Sequence, residues 1–344
     1  MENQFEKIGN NLSVENSEQV VGKIEERRKE VLKPLAGEVE KRPSFIDFIK
    51  DFNSWLYREL DDLGIEYKGN ISPDQVHLLT DDSFKKEFKK RYKMAGSKCA
   101  GFHDASSNAV YVKTDIKRQD SDEFARADFY HTNIHEMIHQ ASYHKYSLEN
   151  IHEATPEKHI QELTDLEPDI YRMGYAIYGK KPEDHNHFYY LDEAVVEKLS
   201  NEMMHEHQWV LYKLAGIHDY AISSATNGWV DRKKQIEYKP GYEKIVNILD
   251  LVIKKIAQKK NEPIEDVWRR FKKGLFTGEL MHLRDIEKTF GKGSLRFIEQ
   301  LFTLIQKSNK KEKRKLFPKI NAYFEAANDA NRKEIEKEIL GEYQ

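Results

Sequence analysis

Two histidines four residues apart with a glutamate between them, His135-Glu136-Met137-Ile138-His139, are the residues of this chain best placed to do chemistry. Residues i and i+4 of a helix stand one above the other on one face, so both imidazoles can reach a single zinc ion. Glu136 points to the edge of that face, where it can take a proton from a water that the ion activates. A catalytic zinc takes three protein ligands and leaves one position for water. The motif supplies two of the three, so a further ligand has to come from elsewhere in the chain.

One solution continues the motif as His-x-x-Gly-x-x-His. Here the stretch after His139 runs Gln140-Ala141-Ser142-Tyr143-His144-Lys145, with Ser142 in place of the turn-forming glycine and the histidine one position early. That solution is rejected. The other takes a glutamate from a second helix, and Leu191-Asp192-Glu193-Ala194-Val195-Val196-Glu197 offers one. Glu193 and Glu197 share a helix face, beside an apolar stripe of Leu191, Val195, Leu199 and Met203. A carboxylate at the border of a core is costly unless it is satisfied. Glu193 would bind the metal, and Glu197 would accept a hydrogen bond from the remaining ring nitrogen of a ligating histidine, fixing its tautomer. Glu162, Asp165 and Glu167 are weaker candidates for the same ligand. The remaining histidines, His131, His152, His159, His185, His187, His205 and His207, are not assigned to the metal.

These side chains need elements to hold them. Ser17 to Glu40 predicts a solvated or amphipathic helix broken at Pro34. Ser44 predicts the cap of a helix to about Leu63, with Phe45, Phe48, Ile49, Phe52 and Leu56 as its apolar stripe. Val76 to Thr80 reads as a strand, and Asp81/Asp82 as the start of a helix to about Lys93. Lys98–His103 and Ala109–Lys113 read as a hairpin around Asp104 to Asn108. The metal helix follows from about Asp122 to His144. Beyond it the periodicity predicts helices over 161–178, 191–215, 242–259, 263–273, 278–290, 293–308 and 318–340, with 223–238 irregular. The fold class is α+β: a small mixed sheet packed on the metal-binding helix, followed by a mostly helical C-terminal subdomain. The expected divisions are a charged helical extension (1–43), an α+β subdomain with the metal helix (44–145), a helical subdomain with the third ligand (146–290) and C-terminal helices (291–344).

His135 to His139 with Asp192-Glu193-x-x-x-Glu197 resembles the gluzincin metallopeptidases, whose pattern is His-Glu-x-x-His and then Asn-Glu-x-x-x-Asp/Glu on a later helix. The element order is similar to the compact minigluzincin core: strand, helix, hairpin, metal helix, glutamate helix. The resemblance spans roughly residues 75–205. Asp192 stands where that group has asparagine, and residues 140–192 form a longer insert than the thermolysin-like members use. The resemblance implies His135, His139 and Glu193 as zinc ligands, Glu136 as general base and Glu197 as support. It also implies hydrolysis of a peptide bond in a peptide or protein substrate. A tyrosine would stabilise the oxyanion, with Tyr189 and Tyr242 as first candidates and Tyr190 and Tyr238 as further ones. Substrate would pair as a strand with an edge strand, for which Ala109, Val110, Tyr111 and Val112 are the candidates and Gly101 permits close approach.

Composition bounds the alternatives. Lys+Arg 56 against Asp+Glu 59 gives a net charge of -3, which argues against a dedicated nucleic-acid binder. The run Lys310-Lys311-Glu312-Lys313-Arg314-Lys315 reads as a solvated linker. One cysteine, Cys99, allows no intramolecular disulfide and fits a reducing compartment. Met1 to Asn11 is polar, and no run approaches the roughly 20 apolar residues that span a bilayer, so the expected location is cytoplasmic. Two other functions compete with peptide hydrolysis. One is a zinc hydrolase of a non-peptide amide, and the other is an interaction or regulatory protein using the helical C-terminal third on a gluzincin fold. Oligomeric state is not legible.

Overall fold

The computed structural model describes residues 22, 26, 29–30, 32–67, 69–92, 99–105, 107–148, 168–178, 187–216, 220–223, 228–231, 236–238 and 242–343. Of the helix predicted over 17–40, residues 22, 26, 29 and 30 are helical, whereas 32–40, around and after Pro34, are turns and a single bridge; the rest of that stretch lies outside the described residues, as do Glu162, Asp165, Glu167, His152, His159 and His185. The chain divides into two compact units, 1–173 with 178–185 and 200–238, and 174–177 with 186–199 and 239–344.

In the first unit, helix α1 (Pro43–Asp62) buries the whole predicted stripe of Phe45, Phe48, Ile49, Phe52 and Leu56. Its cap is Arg42 rather than Ser44, because Pro43 takes the first helical position, where the missing N–H is no loss. Strands β1 (Val76–Leu79), β2 (Gly101–Asp104) and β3 (Ala109–Lys113) form a sheet in the order β1-β3-β2, with β1 parallel and β2 antiparallel to β3. Side chains alternate across this sheet. Phe102 and Tyr111 stack on one face, in a cluster with Leu79 and with Phe84 of helix α2 (Asp81–Tyr92). A short helix α3 (Ile116–Ser121) leads into helix α4 (Glu123–Ala141), which carries the metal motif and packs on β2 and β3.

The sheet corrects one expectation. Ala109, Val110, Tyr111 and Val112 are not an edge: β3 is the central strand, with a neighbour on each side. Four apolar residues in a row suit a strand buried on both faces, and periodicity alone does not reveal such a strand's neighbours. The outer side of β1 is also occupied. Val39 N–H donates to Leu78 O at 2.7 Å, and Glu38 bridges to Leu79. Glu38 and Val39 thus line the outer side of β1 by an isolated bridge. The outer strand is β2.

After α4 the chain turns to strand β4 (His144–Leu148), paired antiparallel with β5 (Pro168–Met173). The helix predicted over 161–178 is therefore strand in its described part. Ala176–Ile177 is a further short strand, β6, in the second unit. The helix predicted over 191–215 is two, α5 (Tyr189–Glu206) and α6 (Gln208–Ala215), separated at His207, whose ring stacks on Trp55 at 4.2 Å. The stretch expected to be irregular is a meander, β7 (Tyr220–Ser223), β8 (Gly228–Asp231) and β9 (Ile236–Tyr238).

The second unit is mostly helical. Helix α7 (Glu243–Lys260) is its centre and buries Ile245, Val246, Ile248, Leu249, Val252, Ile253 and Ile256. Against it pack α8 (Ile264–Thr277), α9 (Arg284–Phe290), α10 (Ser294–Lys307) and α11 (Lys310–Glu325), and α12 (Asp329–Tyr343) packs on α11. The basic run at 310–315 is the start of α11 and not a linker. Asn309 accepts from the N–H groups of Lys311 and Glu312, Glu312 accepts from Asn309 N–H, and this capping box sets the helix start well before Pro318.

Candidate metal centre

Local chemistry fixes the metal helix at both ends. Asp122 caps it by accepting from Phe124 N–H at 2.9 Å. At the other end Ser142 folds back, its hydroxyl donating to His139 O at 2.7 Å. The chain then becomes extended, which carries His144 into β4. Gln140 donates to Asn108 O at 2.7 Å, tying the last turn to the β2–β3 hairpin. Asn108 has φ 52, the left-handed turn conformation that asparagine tolerates.

On this helix the imidazoles of His135 and His139 meet with their Nε2 atoms 3.1 Å apart. Glu193 lies on α5, a helix whose residues 189–199 belong to the second unit and 200–206 to the first. One ligand atom from each of His135, His139 and Glu193 falls within 4.8 Å of the other two, and all three residues are buried. Two nitrogens bound to a tetrahedral zinc at about 2.05 Å stand about 3.3 Å apart, so the observed nitrogen pair fits one shared ion. Two neutral imidazoles and a carboxylate are a donor set for a divalent metal such as zinc.

Glu136 is buried and lies over the backbone of Gly101 on β2. A Cβ at Gly101 would stand 2.9 Å from Glu136 Cγ and 3.2 Å from its Oε1. Only glycine leaves the carboxylate this place, so Gly101 makes room for Glu136 where the sequence predicts room for a substrate. Glu197 is buried one turn beyond Glu193. Asp192, also buried, accepts from Tyr175 N–H at 2.7 Å.

The tyrosines separate. Burial pushes the Tyr190 phenol up, and the Glu193 carboxylate adds to the shift, so Tyr190 is a protonated donor within electrostatic reach of that ligand. Tyr189 is the first residue of α5 and packs edge-on against Tyr190 at 5.2 Å. Tyr242 precedes the first residue of α7 in the second unit. The side chain of Tyr238 lies outside the described ones. Tyr175, which no motif singled out, is fully buried behind Asp192. Its only sequence signal is the preceding glycine, Gly174.

No protein-family model, no curated protein and no solved structure matches the chain.

Proposed function

We propose that the protein is a zinc-dependent metallopeptidase that hydrolyses peptide bonds. The observation that carries this reading is the convergence of His135, His139 and Glu193 on one point, with Glu136 on the same helix as the two histidines. A metal held there supplies a Lewis acid for the substrate carbonyl and lowers the pKa of water. Glu136 accepts the proton of the attacking water and passes it to the departing amine nitrogen. Burial beside the strand keeps its carboxylate in one place through both transfers. Tyr190 donates its hydroxyl proton as a hydrogen bond to the carbonyl oxygen as negative charge gathers on it. Glu197 accepts from a ligand imidazole and holds that ring in orientation. An extended peptide pairs with the outer strand β2, which lies against Glu136 through Gly101, in place of β3.

The test joins metal analysis of the purified protein with digestion of a diverse peptide library, with and without chelator. Stoichiometric zinc and chelator-sensitive cleavage are expected. Glu136→Gln should keep the metal and lower turnover about 10²–10⁴-fold, the range of general acid–base catalysis. Bound metal without cleavage of any peptide, or turnover that survives Glu136→Gln, overturns the reading.

A further inference from the structure

We propose that Tyr175 and His282 are positioning residues for the third metal ligand, acting through Asp192. The proposal rests on the metal reading above, and all of its contacts lie within the second unit. Asp192 immediately precedes Glu193 on α5. Its Oδ1 accepts from Tyr175 N–H at 2.7 Å, a short, charge-assisted bond. The Tyr175 hydroxyl lies 2.7 Å from Phe271 O and 2.7 Å from His282 Nε2. A carbonyl can only accept, so the phenol proton goes to Phe271 and the phenol oxygen accepts from His282, which must then carry its proton on Nε2. The line of bonds runs from the helical layer of α8 and the 3₁₀ turn Met281–Leu283, through Tyr175, to the residue beside Glu193.

Two glycines mark this line as built. Gly174 has φ +51, and a Cβ there would run into Asp192 Oδ1 and Leu275. Gly274 lies inside α8, where glycine costs about 1 kcal/mol relative to alanine. A Cβ on it would collide with the Tyr175 hydroxyl and the His282 ring. A third tie acts at the same helix end. Phe188, with φ 57, donates its N–H to Glu299 Oε1 at 2.7 Å, and its carbonyl accepts from Asp192 N–H at 2.9 Å. The start of α5 is thus held by α8, by the 3₁₀ turn and by α10. A ligand held by its surroundings binds metal more tightly than one that must be ordered on binding.

The experiment measures the zinc dissociation constant of the full chain by chelator competition, and the melting temperature of the metal-free form. The proteins compared are wild type, Tyr175→Phe, His282→Leu, His282→Gln, Gly274→Ala and His135→Ala. Tyr175→Phe keeps the ring and removes the hydroxyl. It and His282→Leu should weaken zinc binding about 10–100-fold, the range for residues that support ligands. His282→Gln, which can still donate to the phenol, should stay within about threefold of wild type, whereas a purely packing role would not separate Leu from Gln. Gly274→Ala tests the same line from the helix side and should weaken zinc binding like Tyr175→Phe. If Tyr175→Phe or His282→Leu melts below the assay temperature, the contrast between Gly274→Ala and His282→Gln decides. Wild-type affinity in folded Tyr175→Phe and His282→Leu, with loss in His135→Ala, overturns the positioning proposal and leaves the metal reading standing. No zinc binding by wild type overturns both.

Discussion

Glu136 can work as a base only if its carboxylate has a fixed place, and a missing side chain on the neighbouring strand provides it. Gly101 leaves room for Glu136 Cγ where any Cβ would stand 2.9 Å away. Fixed geometry matters because misplacement of about 1 Å can cost roughly 10²-fold in rate. The same logic sorts the tyrosines. An oxyanion donor has to be protonated, and Tyr190, shifted upward by burial and by the Glu193 carboxylate, is the tyrosine proposed for that role. Tyr190→Phe should lower kcat about 10²–10³-fold with little change in KM, while Tyr189→Phe leaves kcat within about threefold. Steady-state kinetics on a cleaved library peptide decides this, and a drop for Tyr189→Phe alone would transfer the role. At this scale the ligands were legible in the chain. A spacing of four is local and helical, and the pair Glu193/Glu197 repeats it. The supporting residues were not, because Gly101, Tyr175 and His282 reach their partners through folding and obey no spacing rule.

Elements were legible where one face is apolar and the other is not. The stripe of α1 and the helices α7, α8 and α10 follow 3.6-residue periodicity with boundaries close to those observed, whereas α9 starts at Arg284, six residues later than expected, after a 3₁₀ turn. Strands after the metal helix were missed where polar residues interrupt the pattern, as in β7 to β9. Strand order was not legible at all, because pairing is decided between segments distant in sequence. With β3 in the centre of the sheet, the proposed substrate platform is β2, and the register states which of its groups face outward. Lys113 N–H donates to Ala100 O at 2.8 Å, so the hydrogen-bonded positions on this ladder are 100, 102 and 104. The N–H groups of Gly101 and His103 therefore point away from β3. A peptide adding as a strand would use them. His103→Pro removes one outward donor without touching the β3 ladder, an edge position that proline tolerates. It should raise KM about tenfold, the equivalent of about 1.4 kcal/mol, with kcat nearly unchanged. His103→Ala is the control for the ring, which lies against Met173 at 3.3 Å, and should stay within about threefold of wild type. Equal KM values for the two variants would remove β2 as the platform.

For the whole molecule, the metal is expected to contribute to stability as well as to chemistry. No helix among the described residues is long and apolar enough to cross a membrane. The two histidines and Glu193 come from helices far apart in the chain, and the unfolded chain does not hold them together. A metal that binds only the folded form adds RT ln(1 + [L]/Kd), about 2.7 kcal/mol when free metal is 100 times Kd. For a domain of 150–250 residues about 1 kcal/mol moves the melting temperature by roughly 2–4 °C. Removing the metal with chelator should therefore lower the melting temperature by roughly 5–10 °C, and added zinc should restore it. Glu193→Ala should melt near the chelated wild type, with little response to zinc at the same concentration, because two imidazoles alone bind far less tightly than three ligands. Glu136→Gln should respond like wild type, since its carboxylate is assigned to proton transfer and not to the ion. Scanning calorimetry across these four samples separates ligand from base without any substrate. A melting temperature indifferent to both chelator and zinc would mean that the His135, His139 and Glu193 cluster holds no ion in the folded chain.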